Sequence, residues 1–227
     1  MNENAKPLVH IGWILATDVK SQKVVDAHRA ASQALAQMLR EQFDQFTWRV
    51  VFVQRRRFAP RGALPPLPLL EYGVREKITQ HWDYALVWVT NALVAHERVH
   101  TVGGPSSTLE TAIISTIDLE RHPPAQFHES MVALALHLLG HVWGVEHDEA
   151  GPMKPPEDLD NLTSEPFPAD QQHAIVDRLE EVADKRLEEK QHSWNTLTFY
   201  WYAFWADPKS ILIDVVGYAP WLLPFRM

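Results

Sequence analysis

The sequence contains no cysteine among its 227 residues. Disulfides and thiolate metal sites are therefore excluded, and any bound metal must be held by histidine, aspartate or glutamate. The absence of cysteine also agrees with a cytoplasmic location, which is the expectation for this chain. An excess of positive charge is missing too, because the net charge is −8. This charge argues against nucleic acid as the main partner.

Long apolar runs are likewise absent. No stretch of about 18 uncharged apolar residues occurs, so no segment is expected to cross a membrane as a helix. The short apolar run at 8–16 contains His10 and leads into Asp18 and Lys20, so it predicts a first strand and not a signal peptide. Hydrophobic residues make up 46% of the chain and charged residues 22%. These proportions predict a folded globular protein with one sizeable core.

Alternating strand and helix patterns fill most of the chain. Short apolar runs bounded by turn residues predict strands at 8–16, 47–54, 84–89 and 111–119. Helical spacing of apolar residues predicts helices at 21–43, with Ser21 as the N-cap, and at 71–80, 126–143 and 169–190. Proline-rich loops are predicted at 60–68 and 151–168, and the ambiguous segment 92–102 ends at Gly103-Gly104-Pro105. This order predicts an α/β fold with the helix 126–143 packed beneath the sheet.

Three histidines have a spacing typical of a metal site. His137 and His141 are four residues apart in the predicted helix, so both imidazoles project from one face. Gly144 stands where a glycine ends a helix, and a left-handed turn there can bring His147 back as a third ligand. Three histidine ligands leave one position open, as in catalytic zinc sites. The predicted cofactor is Zn²⁺, and the competing interpretation is that these histidines are only structural.

The stretch His137-Leu-Leu-Gly-His141-Val-Trp-Gly144-Val-Glu-His147 resembles the motif of the metzincin clan of zinc peptidases, H-E-x-x-H-x-x-G-x-x-H. Asp148 follows the third histidine, as an aspartate often does in that clan. The nearest resemblance is to archaemetzincin-like proteins, in which a strand ending in Ser-Thr precedes the site helix. Here that strand contains Ile114-Ser115-Thr116-Ile117. The resemblance covers roughly residues 8–185, and the cysteines of typical archaemetzincins are missing.

The resemblance implies a metzincin-like (zincin) fold. Such a fold has a twisted mixed β-sheet, a long N-terminal helix, a metal-site helix and a loop-rich C-terminal subdomain. It also places a methionine in a tight turn beneath the zinc, and Met153 in Gly-Pro-Met-Lys-Pro is the candidate. The expected metal-binding domain spans residues 1–190, followed by an aromatic-rich extension at 191–227.

Leu138 stands where these peptidases have their catalytic glutamate. That glutamate takes a proton from zinc-bound water and passes it to the leaving amine, which is worth roughly 10²–10⁴-fold in rate. Leucine cannot accept a proton. Glu146 and Asp148 flank the third ligand, where a carboxylate more often orients a histidine or faces solvent. Glu146 and Glu97 are the candidates for a surrogate base.

A literal H-E-x-x-H occurs elsewhere, as His96-Glu97-Arg98-Val99-His100. If these residues form a strand, His96 and His100 lie about 13 Å apart and cannot share an ion. If they form a helix, Gly103-Gly104-Pro105 ends it within three residues, and a further glutamate such as Glu120 or Glu129 would have to act as a ligand. A solvated strand or loop is the favoured interpretation.

Three functions are therefore carried forward, and the third of them is a membrane-associated or scaffold protein whose histidines bind nothing. The first is a zinc-binding, metzincin-like domain that is degenerate as a peptidase and serves binding or regulation of an unknown protein or peptide partner. The alternative is an active zinc-dependent hydrolase with a non-standard base. Residues 194–205 include seven aromatics. The segment 194–227 is expected to pack on the domain or on a partner, or else to contact a membrane surface peripherally.

Overall fold

The computed structural model describes residues 6–95, 98–119, 123–155 and 162–186. Its elements in chain order are β1 (Leu8–Thr17), α1 (Gln22–Gln42), β2 (Thr47–Phe58), α2 (Pro66–Gln80), β3 (Tyr84–Val89), β4 (Leu93–Ala95), β5 (Arg98–Thr101), β6 (Gly103–Ser106), β7 (Thr111–Ser115), α3 (Pro124–Val142), a 3₁₀ turn (Gly151–Met153) and α4 (Ala169–Arg186). The predicted α/β fold, with a long N-terminal helix and a separate helix for the metal site, is confirmed.

A five-stranded mixed sheet with the order β2-β1-β3-β7-β6 forms the centre of the molecule. Its first four strands are parallel, and β6 pairs antiparallel with β7 at one edge. β4 and β5 form a separate antiparallel hairpin. The edge strand β6 packs on α3, so one edge of the sheet borders the helix that bears the predicted ligands.

Helices cover both faces of the sheet. Because successive residues of a strand point to opposite faces, Trp13 and Leu15 join the core beneath α1 and α3, whereas Ile14 and Ala16 join the core beneath α2. All four side chains are fully buried. The parallel strands are therefore apolar on both sides, as expected for a sheet between two helical layers.

Several predicted boundaries were wrong, among them the end of the second strand, β2, which was predicted at 54 but lies at Phe58. The second helix, α2, was predicted from 71 but begins at Pro66, because a proline in the first turn of a helix loses no hydrogen bond that it would otherwise make. β7 ends at Ser115 and not at 119, because the Ser115 hydroxyl accepts the Ile117 N–H at 3.2 Å and turns the chain. Gly103-Gly104-Pro105, which was predicted only to end the segment 92–102, itself forms β6, where a proline is tolerated at the sheet edge.

Ser115 holds both ends of the connection between β3 and β6. Its hydroxyl donates to the carbonyl of Asn91 at 2.7 Å, and its backbone N–H donates to the carbonyl of Val102 at 2.7 Å. The buried Asn91 side chain in turn donates to the carbonyls of Ala59 and Gly62. The chain therefore leaves the sheet after β3 and returns to it at one point, the carboxyl end of β7.

The aromatic-rich segment 191–227 lies outside the described residues, so its packing and its proposed membrane contact stay predictions, as does the domain boundary at 190. Within the part of the chain that the structure describes, every helix is too short or too polar to cross a bilayer.

Candidate metal centre

Helix α3 places the first two histidines. His137 and His141 lie one turn apart near its carboxyl end, and their ring centroids are 4.8 Å apart. The helix is held by apolar side chains that face the sheet and α1, among them Met131, Leu134 and Leu139. Anchored in this way, the last turn of α3 gives the two imidazoles a fixed position.

The chain reverses directly after α3. Gly144 has φ +85°, a left-handed conformation that favours glycine. The N–H of Gly144 donates to the carbonyl of His141 at 3.0 Å, and the N–H of Val145 donates to that of Gly140 at 2.9 Å. The turn predicted at Gly144 is confirmed, and it brings His147 back beside the helix.

The three imidazoles converge. The ring centroid of His147 lies 5.3 Å from that of His137 and 4.6 Å from that of His141. One ring nitrogen from each histidine can be chosen so that all three lie within 4.8 Å of one another. The spacing along the sequence is thus also a cluster in space.

Two backbone carbonyls decide which nitrogen of each helical histidine is free. Nδ1 of His137 lies 2.7 Å from the carbonyl of Pro152, and Nδ1 of His141 lies 3.1 Å from that of Val145. A carbonyl only accepts, so each Nδ1 carries the proton and donates. The Nε2 lone pairs are left for a metal, and a second partner of this kind is typical of metal-ligating histidines.

The separation of the ring nitrogens fits zinc. Nε2 of His141 and Nε2 of His147 are 3.0 Å apart. Tetrahedral Zn²⁺ with Zn–N bonds of about 2.0–2.1 Å keeps two ligand nitrogens roughly 3.3 Å apart. Nitrogens this close need a shared proton or a shared cation between them. The donor set, three imidazoles without thiolates or carboxylates, is one that zinc accepts.

Burial favours the neutral imidazoles that a metal requires. Desolvation lowers the pKa of His137, and to a smaller extent the neighbouring His147 lowers it further. Desolvation likewise lowers the pKa of His141 to about 4, helped by His137 and His147. Because both rings stay uncharged at neutral pH, protons do not compete with a cation for their lone pairs.

The centre is open to solvent on the side of the reversed loop. His137 is buried, His141 is half-buried and His147 is exposed. An open depression at this point is lined by His141, Gly144, Val145, Glu146 and His147. A ligand or a partner can therefore reach the metal position from outside, and Glu146 lies along its path.

Met153 lies behind the ligand helix. It is fully buried, and its sulfur contacts the Cα side of Gly140, which lies on α3 between the two ligands. A side chain on Gly140 would also approach Phe167, at 3.2 Å. Met153 ends the 3₁₀ turn Gly151–Met153, and its role as the methionine beneath a zinc ion stays a prediction.

The hydrogen bonds of Asp148 are with groups other than the three histidines. Its Oδ2 accepts from Nε2 of Gln171 at 2.9 Å, its Oδ1 accepts from the N–H of Glu149 at 2.6 Å, and its own N–H donates to the carbonyl of Met153 at 3.0 Å. Both carboxylate oxygens are thus bound to groups of the loop and of α4. The aspartate supports the loop that carries the third ligand.

Leu138 points toward the edge of the sheet. It is 4% exposed and packs on β6, because a Cβ added to Gly103 would lie 2.6 Å from Cδ1 of Leu138. The side chain next to the first ligand is therefore part of the apolar core.

The second histidine motif falls partly outside the described residues, since His96 and Glu97 are not described. Arg98–Thr101 forms the strand β5, so the helical alternative for the end of this motif was wrong. Among the described residues, the group His137, His141 and His147 is the one arrangement of three or more such side chains that can hold a metal.

Three contacts of the centre had no clear signal in the sequence. They are the carbonyl of Pro152, the side chain of Gln171 and the glycine Gly103 opposite Leu138. A carbonyl acceptor cannot be inferred from residue type, and Gln171 lies in a helix whose rotation is set by packing.

Comparison with solved structures identifies the fold. The archaemetzincin from Methanopyrus kandleri superposes with a TM-score of 0.56 at 16% identity, covering 79% of this chain and 98% of that protein. The zinc-dependent peptidase from Methanocorpusculum labreanum gives 0.55 at 18% identity, with 74% and 99% covered. The archaemetzincin from Archaeoglobus fulgidus, complexed with malonate, gives 0.53 at 16% identity, with 73% and 99% covered.

At this level of identity the likeness establishes a shared fold. No protein-family model and no curated protein matches the sequence. The chain therefore has an archaemetzincin-like, zincin fold, and its three-histidine group fits Zn²⁺.

Proposed function

We propose that this chain is a zinc-binding domain with the fold of a metallopeptidase, which has lost peptidase chemistry and serves binding or regulation of a protein or peptide partner. The observation that carries the proposal is the contact of Leu138 with Gly103 of β6. The residue beside the first ligand is an apolar packing residue, whereas a peptidase of this kind needs a carboxylate there.

Hydrolysis of a peptide bond requires more than a metal. A zinc ion held by three histidines supplies a Lewis acid with one open position. A base must also take the proton of the attacking water and return it to the leaving amine, and Leu138 has no atom for this task. The nearest acidic residue on the same helix, Glu129, is exposed and more than two turns away.

The features that bind a ligand are kept. His137 and His141 hold their Nε2 atoms toward the cluster, and the depression at Glu146 and His147 leaves the centre accessible. A carboxylate or imidazole of a partner is the kind of group that an open zinc position accepts. Binding without turnover follows from a complete ligand set beside an incomplete catalytic set.

The first test measures zinc and hydrolysis in the same preparation. We expect the purified full chain to contain about one zinc per molecule, and His137→Ala to contain none. Casein and a peptide library should be cleaved no faster by the full chain than by His137→Ala. Chelator-sensitive cleavage by the unaltered protein would overturn the pseudoenzyme proposal, and absence of zinc would overturn the metal centre.

The second test asks whether Leu138 is the cause of the proposed loss of peptidase activity. Leu138→Glu supplies a carboxylate at the motif position, and Leu138→Gln is a matched control of similar size and polarity without a base. Chelator-sensitive activity in the glutamate variant alone would identify the missing base as the reason for inactivity. Equal activity in both variants would contradict it.

A second candidate function is an active zinc-dependent hydrolase. The observation in its favour is that Glu146 lines the same open depression as His141 and His147. In this case Glu146→Gln should abolish hydrolysis while zinc content stays unchanged. The other surrogate, Glu97, lies outside the described residues, and Glu97→Gln is its corresponding test.

A further inference from the structure

Hydrogen bonds do not hold the three candidate ligands in place equally well. His137 and His141 are on α3, and each is fixed by a hydrogen bond from Nδ1 to a backbone carbonyl. His147 is exposed and lies in the loop after Gly144. Among the described residues, the side-chain hydrogen bond and the aromatic ring contacts of His147 are with the other two histidines. Its position must therefore be set mainly by its backbone.

The residue after His147 fixes that backbone. Asp148 is tied at three atoms: its N–H to the carbonyl of Met153 at 3.0 Å, its Oδ1 to the N–H of Glu149 at 2.6 Å, and its Oδ2 to Nε2 of Gln171 at 2.9 Å. The first two bonds lie within the loop itself. Only the third connects the loop to a separate helix.

That helix is a rigid support. α4 is anchored in the main core through Ile175 and Leu179, both fully buried. Gln171 lies in its first turn and is 7% exposed. A buried amide that donates to a carboxylate makes a charge-assisted hydrogen bond, which is stronger than one between neutral groups. The bond therefore connects an ordered part of the core to the loop of the third ligand.

Nothing else among the described residues explains why a glutamine is buried at this position. Oε1 of Gln171 has no hydrogen-bond partner, so the bond from Nε2 to Asp148 is the contact that offsets the cost of burying this amide. A leucine in its place would fill the same space at lower cost. The polar side chain is therefore explained by its bond to the metal loop and not by packing.

We propose that Gln171 is a positioning residue of the metal centre, which acts through Asp148 to hold His147 in ligating position. This inference rests on the proposed zinc site. The loss of the bond frees the backbone beside His147, so the third ligand must be ordered when zinc binds. Groups that hydrogen-bond a metal ligand directly commonly change metal affinity by roughly 10–100-fold, and because Gln171 acts one residue further out we expect an effect at the lower end of this range.

The test uses Gln171→Leu and the matched control Gln172→Leu. Gln172 is the next residue of the same helix, and its amide donates to the carbonyl of Phe167 at 2.7 Å and not to Asp148. The zinc dissociation constant of each full-length protein is measured by competition with a chromophoric chelator. The thermal unfolding midpoint of the metal-free protein is measured in parallel.

We expect zinc binding to weaken by about 10-fold or more in Gln171→Leu and by less than about twofold in Gln172→Leu. Cobalt in place of zinc should give weaker, shifted visible absorption bands in Gln171→Leu only, since these bands report ligand geometry. If Gln171→Leu lowers the thermal unfolding midpoint of the metal-free protein much more than Gln172→Leu does, a second variant is needed. In that case Gln171→Met, which keeps the volume and flexibility of the side chain, is used in place of Gln171→Leu.

A double-mutant cycle distinguishes this route from a general effect. Gln171→Leu should weaken zinc binding little further when Asp148→Ala is already present, because the two residues act through one bond. Equal zinc affinity in Gln171→Leu and the unaltered protein, or additive losses in the cycle, would overturn the inference while the metal centre stands. Absence of zinc from the unaltered protein would overturn both.

Discussion

Two buried histidines of this chain, His28 and His137, have opposite hydrogen-bond roles. Nδ1 of His28 accepts from Nε1 of Trp13 at 3.1 Å, so its proton is on Nε2. Nδ1 of His137 donates to the carbonyl of Pro152 at 2.7 Å, so its Nε2 keeps a free lone pair. Neither side chain is more than 5% exposed.

The difference teaches that the partner of a histidine, more than its burial, decides its use. The ring centroid of His28 lies 6.2 Å from that of Trp13 and 5.5 Å from that of Trp88, and its one lone pair is taken by Trp13. It has no lone pair left for a metal. His137 faces two further imidazoles with its lone pair free, so it can bind a cation.

The largest effect on zinc affinity is expected when His137, the proposed ligand of this pair of histidines, is removed. His137→Ala should weaken zinc binding by at least about 100-fold, because structural zinc binding is worth roughly 10–16 kcal/mol and one of three protein ligands is lost. His28→Ala should leave the zinc affinity of the folded protein unchanged. Zinc content and chelator competition measure both.

His96→Ala belongs in the same series as a control for the second histidine motif. We expect its zinc content to equal that of the unaltered protein. Loss of zinc in His96→Ala together with retention in His137→Ala would reverse the assignment of the site.

The next largest effect is expected on the free energy of unfolding at low pH, and its cause is His28. Burial lowers the pKa of His28 from 6.5 to about 3. The unfolded chain therefore takes up a proton below pH 6.5 that the folded chain refuses, so this contribution to stability is complete above 6.5 and is lost as the pH falls toward 3. By pH 4 the loss should reach about 3 kcal/mol, at 1.36 kcal/mol per unit.

Urea unfolding of the metal-free protein at pH 7 and pH 4 measures this loss. His28→Gln keeps an acceptor for Trp13 but does not titrate, so its free energy of unfolding should fall less between the two pH values. An equal fall in both proteins would show that His28 is not the group responsible.

A smaller effect is expected behind the ligand helix. Gly140→Ala places a methyl group against the sulfur of Met153. Because overpacking of a core costs about 1–3 kcal/mol, the free energy of unfolding should fall by this amount. The displaced turn also carries Pro152, whose carbonyl holds His137, so zinc affinity should fall too. Unchanged zinc affinity would show that Pro152 adjusts independently of Met153.

The smallest effect is expected at the turn. Gly144 has φ +85°, and no atom lies within 4 Å of the position that a Cβ would take. Gly144→Ala therefore meets only backbone strain, about 1–2 kcal/mol. Thermal unfolding of Gly144→Ala and Gly140→Ala side by side separates strain from crowding. A larger loss of stability in Gly144→Ala than in Gly140→Ala would mean that strain outweighs crowding in this part of the molecule.

The sequence predicted those parts of the centre that depend on local spacing. The interval between His137 and His141, the turn at Gly144 and the buried Met153 all follow from helix periodicity or from a motif. His28 also had a signal, because it lies on the same helical face as Val25 and Leu35, although it was not singled out. These features need only the geometry of a single segment.

The remaining contacts depend on segments far apart in the chain. The pairing of Gly103 with Leu138 and the bond from Gln171 to Asp148 join elements whose relative placement is fixed by the core. The wrong end of β7 has a different cause, since the hydroxyl of Ser115 competes with the ladder for the N–H of Ile117. Propensity alone does not predict such competition.

Ser115 also has a consequence for how this chain can change over evolutionary time. Because it binds the carbonyls of both Asn91 and Val102, the segment between them starts and ends at a single anchor. Residues added between β4 and β5 cost only the slowly growing entropy of a longer closed loop. Variation in length should therefore accumulate there, while β7, α3 and the ligand spacing that they carry stay constant.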